Sequence, residues 1–374
     1  MMIPRPASSW LWSLGVGAGL LLACPGCNDS NAGAALPPLP RQAGWVAHSP
    51  DPVIQTGDFR SQGLWGDPCV LKVNGEYVMY LTSSTRDPFK PPVLPFRAVS
   101  PDGVKWELQP KQPLLTAEGM EYVSIETPSV VYFRGRYHMY FTAIMPDGRI
   151  PPMAIGHAVS DDGIKWTKDP EPVLRGTGNL SDWNGYLVAE PGAVVHDDRI
   201  HLYFCAVAAR PGGKPPQLQT IGRVTTEDGV TFTPPERLVE QHALYPPEQG
   251  YVGYSTPFAL SHRGRVHLFY DVAHFQAGRD PEWQQVALHH AVSSDGGKTF
   301  TQDPAPLLAR EDFDWTAGEI LAPSVLVEGD RLLLWFGGHV RNPDLAPLIL
   351  RGFKGREFGV GLATTGVTWL ERAP

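Results

Sequence analysis

The chain has 374 residues, a formal net charge of −8 at pH 7 and a pI near 5.8, with 38 prolines and 39 glycines. An acidic chain without a basic run or a Gly-rich phosphate loop is not expected to have nucleic acid as its main partner. The length fits one closed β domain as well as two smaller domains, and the Pro and Gly residues fall at turns between aromatic runs, which indicates β structure.

The first segment in chain order is typical of a targeting signal. An apolar stretch, 11–23, follows Arg5 and is too short to span a membrane. It ends in Leu-Leu-Ala-Cys at 21–24, which resembles a bacterial lipobox and implies cleavage before Cys24 and lipidation of its sulfur. An ordinary cleaved signal peptide is the alternative, and Cys27 is a weaker lipidation candidate.

Three regions are therefore predicted. Residues 1–23 are a lipoprotein-type signal peptide, 24–44 a flexible tether and 45–374 one folded domain. The expected location is the bacterial cell envelope, periplasmic or on the outer surface, with a lipid anchor in the membrane; secretion is the other outcome. We expect the folded domain to be a monomer.

The remainder of the chain repeats one pattern five times. An apolar run begins just after a proline, makes a tight turn into an aromatic-rich run, and later closes with Asp-Gly and an aromatic residue. The prolines stand at 68, 128, 191, 257 and 323, so the period is 60 to 66 residues. A repeat of this length predicts an architecture in which each unit packs on its neighbours.

The second repeat shows how each unit is read. Apolar and aromatic runs at 129–133, 137–141 and 154–159 are separated by Arg-Gly-Arg and by a variable stretch, and Asp-Asp-Gly at 161–163 leads into Ile164–Trp166. Short runs rich in Val, Tyr and Phe between such turns predict hairpins. Five four-stranded antiparallel units predict an all-β, five-bladed β-propeller.

The ends of the chain indicate how the ring closes. Each of the first four units is followed by a Pro-rich tail, but the fifth stops at Trp369. A matching piece lies at 45–54, so we predict that the N-terminal segment completes the last blade and covers its open edge. Cys69 and Cys205 fall on different blades and are expected to be free, buried thiols.

One face of the predicted disc carries the variable, long connections, where function concentrates. The residues that precede the five prolines open on this face, around the axis: Asp67, Thr127, Glu190, Thr256 and Ala322. Glu126 adds a third acid beside Thr127. Acids that converge on one axis are costly unless they are paired, solvated or used, and the alternative is that they accept hydrogen bonds from loop N–H groups.

A five-bladed ring with Asp-Pro in blade one and Glu-Pro in blade three resembles the glycoside hydrolases of family 43, which share their scaffold with families 32, 62, 68 and 130. The resemblance covers about 45–369. It implies that Asp67 is the general base, that Glu190 is the general acid, and that hydrolysis inverts the anomeric centre of an arabinose- or xylose-type polysaccharide or oligosaccharide.

The sequence departs from the family in blade two. There the family has an Asp, directly before proline, that tunes and orients the acid, whereas this chain has Thr127 and displaces the acid to Glu126. Adjacent residues of a strand face opposite sides. Glu126 is therefore expected to reach the axis only if the strand has not begun there or contains a bulge.

Substrate contacts are predicted among residues that break the repeat or place an aromatic ring on the open face. They are Tyr122, Tyr186, Tyr254, Asp271, His274, Trp283 and His339. His138, His201 and His267 occupy the same place in three repeats and are interpreted as scaffold. No metal or cofactor is predicted, although relatives carry a structural cation on the propeller axis, and Glu319 stands near the place of the family's blade-five histidine.

Three other readings remain open. Residues 293–300 match the Asp-box turn of sialidases, but those enzymes need an arginine cluster and usually six blades. The Thr at 127 favours a non-catalytic carbohydrate-binding propeller. A phosphorylase like those of family 130 would need a phosphate pocket, to which Arg86, Arg210 and Arg341 could contribute.

Overall fold

The computed structural model describes residues 36, 38–59, 64–84, 92–209, 217–276, 283–340 and 355–372. Over this part of the chain, five antiparallel sheets follow one another in sequence order, each with neighbouring strands hydrogen-bonded in the order of a meander. The prediction of an all-β, five-bladed propeller is confirmed. Signal peptide residues 1–23 and Cys24 lie outside the described residues.

Each of the first three blades has three strands of 8 to 11 residues, followed by outer strands of two residues. Blade one has β3 (Gly66–Val73), β4 (Glu76–Ser84), β5 (Val93–Ser100) and β6 (Glu107–Leu108). Blade two has β7 (Ser124–Phe133), β8 (Arg136–Ile144), β9 (Met153–Ser160), β10 (Thr167–Lys168) and β11 (Leu174–Arg175). Blade three has β12 (Leu187–His196), β13 (Arg199–Ala209), β14 (Gln217–Thr226) and β15 (Glu236–Arg237).

The last two blades follow the same plan. Blade four has β16 (Tyr251–His262), β17 (Arg265–Phe275), β18 (Trp283–Ser293), β19 (Thr301–Gln302) and β20 (Leu308–Ala309). Blade five has β21 (Glu319–Glu328), β22 (Arg331–His339) and β23 (Gly355–Gly366). The short helices are 3-10 turns at Pro247–Gln249, Arg310–Asp312 and Asp314–Thr316 and an α-helical turn at Trp369–Arg372.

The N-terminal segment closes the ring as predicted. β1 (Val46–Ala47) and β2 (Ile54–Thr56) both pair antiparallel with β23, the third strand of blade five. The amides of His48 and Val53 add hydrogen bonds to Leu362 and Val360 at 2.8 and 2.7 Å. Because this strand edge is paired, it is not available to another chain.

Part of the predicted tether is docked on the propeller. The amide of Gln42 donates to the Pro306 carbonyl at 3.0 Å, and Arg41 forms an ion pair with Asp312 at 3.0 Å. Leu39 packs against the core of blade four. The structure therefore attaches 38–44 to blades four and five.

The turns between third and fourth strands share one device in blades one to four. An Asp side chain accepts two successive backbone amides, for example Asp295 from Lys298 and Thr299 at 3.0 and 2.9 Å. Adjacent blades interlock there, because Tyr80 donates to Gly163 O and Tyr140 to Gly229 O at 3.1 and 2.8 Å. The Asp-box likeness is thus a turn motif of the scaffold.

The cores lie between the blades and contain no disulfide among the described residues. Cys69 and Cys205 are free and buried, as predicted. Within the described ranges, no helix is long and apolar enough to cross a membrane.

Candidate active site

The innermost strands all bulge where they approach the axis. In every blade the pairing register shifts at the X-Pro step, as between Gly66 and Cys69 in blade one. The residue before each proline has a positive φ, from 38° at Thr256 to 54° at Glu190. This left-handed conformation costs a non-glycine residue about 1–2 kcal/mol, so the surrounding hydrogen bonds must maintain it.

Those bulges create a narrow cavity on the axis. Its volume is about 30 Å³, and X-Pro pairs from all five blades line it. A cavity of this size holds about one water molecule. Asp67 and Glu190 both contribute to its wall, so the structure brings the two predicted catalytic acids from blades one and three to one compartment.

A relay of hydrogen bonds connects the pre-proline residues around the ring. In four of the five sectors, the amide of one pre-proline residue is bound by a side chain of the preceding blade. The four contacts are Thr127 N–H to the Asp67 carboxylate, Glu190 N–H to Thr142 Oγ1, Thr256 N–H to Glu190 Oε2 and Ala322 N–H to Asp271 Oδ2. In the fifth sector, the corresponding side chains are those of Ala322 and Gly337, which carry no acceptor.

Asp67 and Glu190 therefore do have the alternative role predicted for the acids, because both accept hydrogen bonds from backbone N–H groups. At the blade-two position, however, the hydroxyl of Thr142 holds the Glu190 amide at 2.8 Å. A neutral hydroxyl is sufficient for the structural task. Amide binding alone therefore does not explain why Asp67 and Glu190 are carboxyls rather than hydroxyls.

Asp67 is held on one side only. Its Oδ2 accepts a hydrogen bond from Thr82 Oγ1 at 2.6 Å, whereas Oδ1 is buried and has no hydrogen-bond partner among the described residues. Burial raises the pKa of Asp67 to about 6, against the opposing effect of the hydrogen bonds from Thr82 and the Thr127 amide. Asp67 is thus a carboxylate with one oxygen free to accept a proton.

Glu190 faces the same space with a higher proton affinity. Its Oε2 accepts the Thr256 amide at 3.0 Å, and the Cys205 thiol, which donates to the Tyr254 carbonyl at 3.8 Å, also contacts the carboxyl. Burial raises the pKa of Glu190 to about 7; the Thr256 amide opposes this shift and the negative charge of Asp67 adds to it. Near neutral pH, Glu190 can therefore carry a proton while Asp67 is ionised.

Glu126 lies at the bulge of blade two. It is the last paired residue before the register shift, opposite Thr142, and its side chain is buried. Burial raises the pKa of Glu126 to about 8, with further contributions from the charges of Asp67 and Glu190. A bulge is therefore present beside Glu126, but Glu126 is not among the described residues that line the axial cavity, and its role in the site stays a prediction.

A set of site residues on the second strands escaped the sequence analysis. Each lies fifteen residues after its pre-proline partner, and these residues are Thr82, Thr142, Cys205, Asp271 and Gly337. This constant spacing is visible in the sequence and indicates a common position, but only Asp271 was predicted as a site residue. The side chain of Asp271 is fully buried and accepts hydrogen bonds from the hydroxyls of Ser255 and Thr256.

Blade five contributes a buried ion pair at the end of its first two strands. Glu319 and His339 are opposite each other in the ladder, and His339 Nε2 lies 2.7 Å from Glu319 Oε2. The second ring nitrogen donates to the Val340 carbonyl at 2.8 Å. Burial by itself would lower the pKa of His339, but the Glu319 charge and these hydrogen bonds outweigh it and raise the pKa.

The other predicted substrate contacts have protein neighbours. Tyr122 is buried edge-on to Phe141, and the Tyr254 hydroxyl accepts the His242 amide at 2.7 Å within the core of blade four. Three more lie near the ends of strands. Tyr186 is half-buried beside Leu187, and Trp283 packs edge-on to Phe275. His274 Nε2 donates to Gln249 O at 2.9 Å. Their contact with a substrate stays a prediction.

Two of the three repeated histidines belong to polar chains inside the blades, whereas His201 packs edge-on against His196. His138 Nδ1 lies 3.0 Å from His157 Nε2, and His157 Nδ1 lies 2.8 Å from Asp169; His267 makes the equivalent chain in blade four. The described ranges contain no cluster of three or more His, Cys, Asp or Glu side chains arranged to hold a metal ion.

The described residues form a five-bladed propeller with acids from separate blades around its axis. The family model for the glycosyl hydrolases family 32 N-terminal domain matches residues 126–251. No curated protein matches the sequence of the chain.

Solved structures show the same fold at low sequence identity. One described as a glycoside hydrolase has a TM-score of 0.63 at 13% identity, covering 85% of this chain and 92% of that chain. A thermostable family-43 glycoside hydrolase has a TM-score of 0.57 at 18% identity, with coverages of 80% and 89%. The GH43_1 enzyme from Xanthomonas citri complexed with xylotriose has a TM-score of 0.55 at 15% identity, with coverages of 85% and 89%. The predicted resemblance to this superfamily is confirmed at the level of the fold.

Proposed function

We propose that the protein is a glycosidase that hydrolyses a glycosidic bond with inversion, using Asp67 as general base and Glu190 as general acid. The observation that carries the proposal is that these two carboxyls line one axial cavity with proton affinities in the required order. The match to a glycosyl hydrolase family model over 126–251, which includes Glu190, supports it independently.

The chemistry follows from the free and occupied oxygens. A water molecule held at Asp67 Oδ1 attacks the anomeric carbon and gives one proton to that oxygen. The bond from the anomeric carbon to the leaving oxygen breaks, and the electron pair that remains on the oxygen takes the proton of Glu190. Exchange with solvent then returns both carboxyls to their starting states.

The sugar would bind above the ring, on the face that carries the long connections. The axial cavity accommodates a water molecule but not a sugar ring. An arabinose- or xylose-type substrate is proposed because the similar structures include an enzyme complexed with xylotriose and one described as an α-L-arabinofuranosidase. Trp283 and Tyr186 are the predicted aromatic contacts nearest the upper strand ends.

Glu126 is proposed as an auxiliary acid of the site. It is buried beside Asp67 and Glu190 and holds a proton at neutral pH, so it limits the negative charge in the cavity. In this role it takes part of the task that the family gives to the Asp before the blade-two proline.

The decisive experiment compares the parent with Asp67→Asn and Glu190→Gln on xylobiose and arabinose-containing oligosaccharides, whose leaving oxygens need a proton. Each substitution is expected to reduce kcat by a factor on the order of 10³ or more on a substrate that the parent hydrolyses. The reason is that each variant loses a general acid or base, and Asp67→Asn also loses the positioning of the water. Thr82→Ser, which keeps the hydroxyl that holds Asp67, is the matched control. Undiminished turnover in both acid variants would refute the assignment.

A non-catalytic carbohydrate-binding propeller is the second candidate. The feature that favours it is Thr127 at the position where the family has an acid, together with the structural use of both carboxyls as amide acceptors. A parent protein that binds xylo-oligosaccharides in calorimetry but releases no product over days would support this candidate. A phosphate requirement for turnover would instead support a phosphorylase; Arg86, Arg210 and Arg341 lie outside the described residues.

We further propose that the chain is exported and lipid-anchored through Cys24, with 24–37 as the connecting tether. The support is the Leu-Leu-Ala-Cys pattern behind an apolar segment. Mass spectrometry of the mature N-terminus tests this: a diacylglyceryl group on Cys24 is expected, and Cys24→Ala should release the protein from membranes.

A further inference from the structure

A chain of two hydrogen bonds links Asp271 in blade four to Glu190 in blade three. Thr256 is the connecting residue: its hydroxyl donates to Asp271 Oδ2, and its amide donates to Glu190 Oε2 at 3.0 Å. The hydroxyl and the amide of Thr256 therefore each donate a hydrogen bond to a carboxyl group. Because the Thr256 backbone is in the left-handed region at φ 38°, its orientation depends on these bonds.

Asp271 is more than the amide acceptor of its sector. It binds the Ala322 amide at 3.3 Å, but Thr142 shows that a hydroxyl can hold the equivalent amide in blade two. A fully buried carboxyl is a costly replacement for a hydroxyl unless its charge or its extra acceptor capacity is used. The extra capacity is taken up by the hydroxyls of Ser255 and Thr256.

The ionisable groups around this pair come from every blade that packs against it. Those that interact with Glu190 are Asp67, Glu126 and the Cys205 thiol, and those that interact with Asp271 are Glu190, Cys205 and Glu319, the last paired with His339. Among the described residues, no lysine or arginine is one of these partners. Thr256, which donates a hydrogen bond to each carboxyl, therefore connects Glu190 and Asp271 directly.

We propose that Asp271 is the positioning residue of the acid Glu190, acting through Thr256, and that blade four supplies here what the resembled family takes from blade two. This inference rests on the proposed glycosidase function. Asp271 fixes the Thr256 hydroxyl, which aims the Thr256 amide at Oε2 of Glu190. The other oxygen of Glu190 is thereby directed at the leaving oxygen, to which it delivers its proton.

The first test uses leaving groups that differ in their need for an acid. Asp271→Asn and Thr256→Val should lower kcat on xylobiose by about 10²-fold or more, while turnover of 2,4-dinitrophenyl β-xyloside, whose leaving group departs without a proton, should fall less than about threefold. Thr256→Ser, which keeps the hydroxyl, should retain most of the parent activity on both substrates. Equal losses on both substrates, or an inactive Thr256→Ser that folds normally, would overturn the proposal.

The second test needs no turnover and so separates this inference from the proposed function. Infrared difference titration follows the carboxyl band of Glu190, which Glu190→Gln identifies. In the parent the band should change over a broad pH range, because coupled carboxyls lose their protons in separate steps; in Asp271→Asn the range should narrow and its midpoint should fall, while Asp67 and Glu126 still interact with Glu190. If Asp271→Asn titrates like the parent, the link between Asp271 and Glu190 is refuted. If the two titrations differ but the parent has no glycosidase activity, the proposed function alone is refuted.

Discussion

At the residue scale, three buried acids near the axis differ in their proton affinities. Asp67, Glu190 and Glu126 are all made harder to ionise by burial, and they differ in the donors that reach them. Asp67 has a hydroxyl and an amide, Glu190 an amide and a thiol, whereas the Glu126 side chain accepts no hydrogen bond from the described residues. The order of the three pKa values therefore follows from the number and strength of these donors.

The order predicts a bell-shaped pH dependence of kcat/KM. Activity needs Asp67 ionised, with a pKa of about 6, and Glu190 protonated, with a pKa of about 7. The rate should rise as the pH approaches 6, peak between 6 and 7 and decline above. Initial rates on an aryl xyloside from pH 4 to 9 measure it, and a profile that is flat from pH 5 to 8 would contradict the assignment.

The same burial predicts how stability depends on pH. The pKa of Glu126 in the folded protein, about 8, lies above its ordinary value of 4.5, so the folded state binds the proton more tightly than the unfolded state. Its contribution is present below pH 4.5 and is lost as the pH rises to 8, a change on the order of 5 kcal/mol.

Glu126→Gln removes this pH-dependent loss. The free energy of unfolding of the variant, measured with urea at pH 5 and pH 9, should decrease less than that of the parent on going to the higher pH. Glu171→Gln, an exposed change in blade two, serves as the control and should follow the parent. Parallel pH dependences for the parent and Glu126→Gln would show that Glu126 is ionised or solvated in the folded state.

At the element scale, the inner strands decide how closely the blades approach. The X-Pro bulge turns a pre-proline side chain toward the axis in each blade, and Gly192, two residues after Glu190, lets the next blade come close. A Cβ at Gly192 would lie 1.9 Å from the Pro257 carbonyl oxygen, which is backbone and cannot rotate away. The spacing of Glu190 and Thr256 depends on this contact.

Gly192→Ala should therefore separate blades three and four. We expect a loss of about 2–4 kcal/mol in the free energy of unfolding, because the backbone must shift, together with a reduced kcat. Gly135→Ala is the matched control: Gly135 has φ +86° but open space around its Cβ position, so only about 1 kcal/mol of backbone strain is expected. Thermal melts of both variants decide, and equal losses would contradict the close-approach argument.

At the scale of the whole molecule, the ring is held shut by the strands that precede blade one. β1 and β2 pair with β23, and Trp45 packs edge-on against Trp369 with ring centroids 5.3 Å apart. Arg41 and Gln42 extend this contact onto blades four and five. Closure therefore joins residues more than 300 positions apart in the chain.

Two truncations test the closure. Removal of 1–35 should leave the melting temperature within about 2 °C of the parent, whereas removal of 1–56 should expose the edge of β23 and cause aggregation or a fall of at least about 10 °C. Added peptide 38–56 should partly restore the longer truncation. A stable, soluble protein without 1–56 would show that blade five closes without these strands.

Much of the fold could be read from the chain because the information is local and repeated. The hairpins, the Asp turns and the prolines recur at a regular period, and each blade forms its register from residues close in sequence. The missing tail after Trp369 and its counterpart near Trp45 likewise predicted the closure. Asp67 and Glu190 stood out because they interrupt this repeat at equivalent positions.

The rest of the site required the tertiary structure, because its contacts cross from one blade to the next. Only the bulge brings Glu126 to Asp67, and only ring packing places Thr256 between Glu190 and Asp271 or sets His339 against Glu319. Sequence periodicity determined the number of blades and which residues open on the axis. The burial of the acids around the axis was decided by bulges and blade packing, which depend on the whole closed ring, and that burial is the main cause of the raised pKa values on which the proposed chemistry depends.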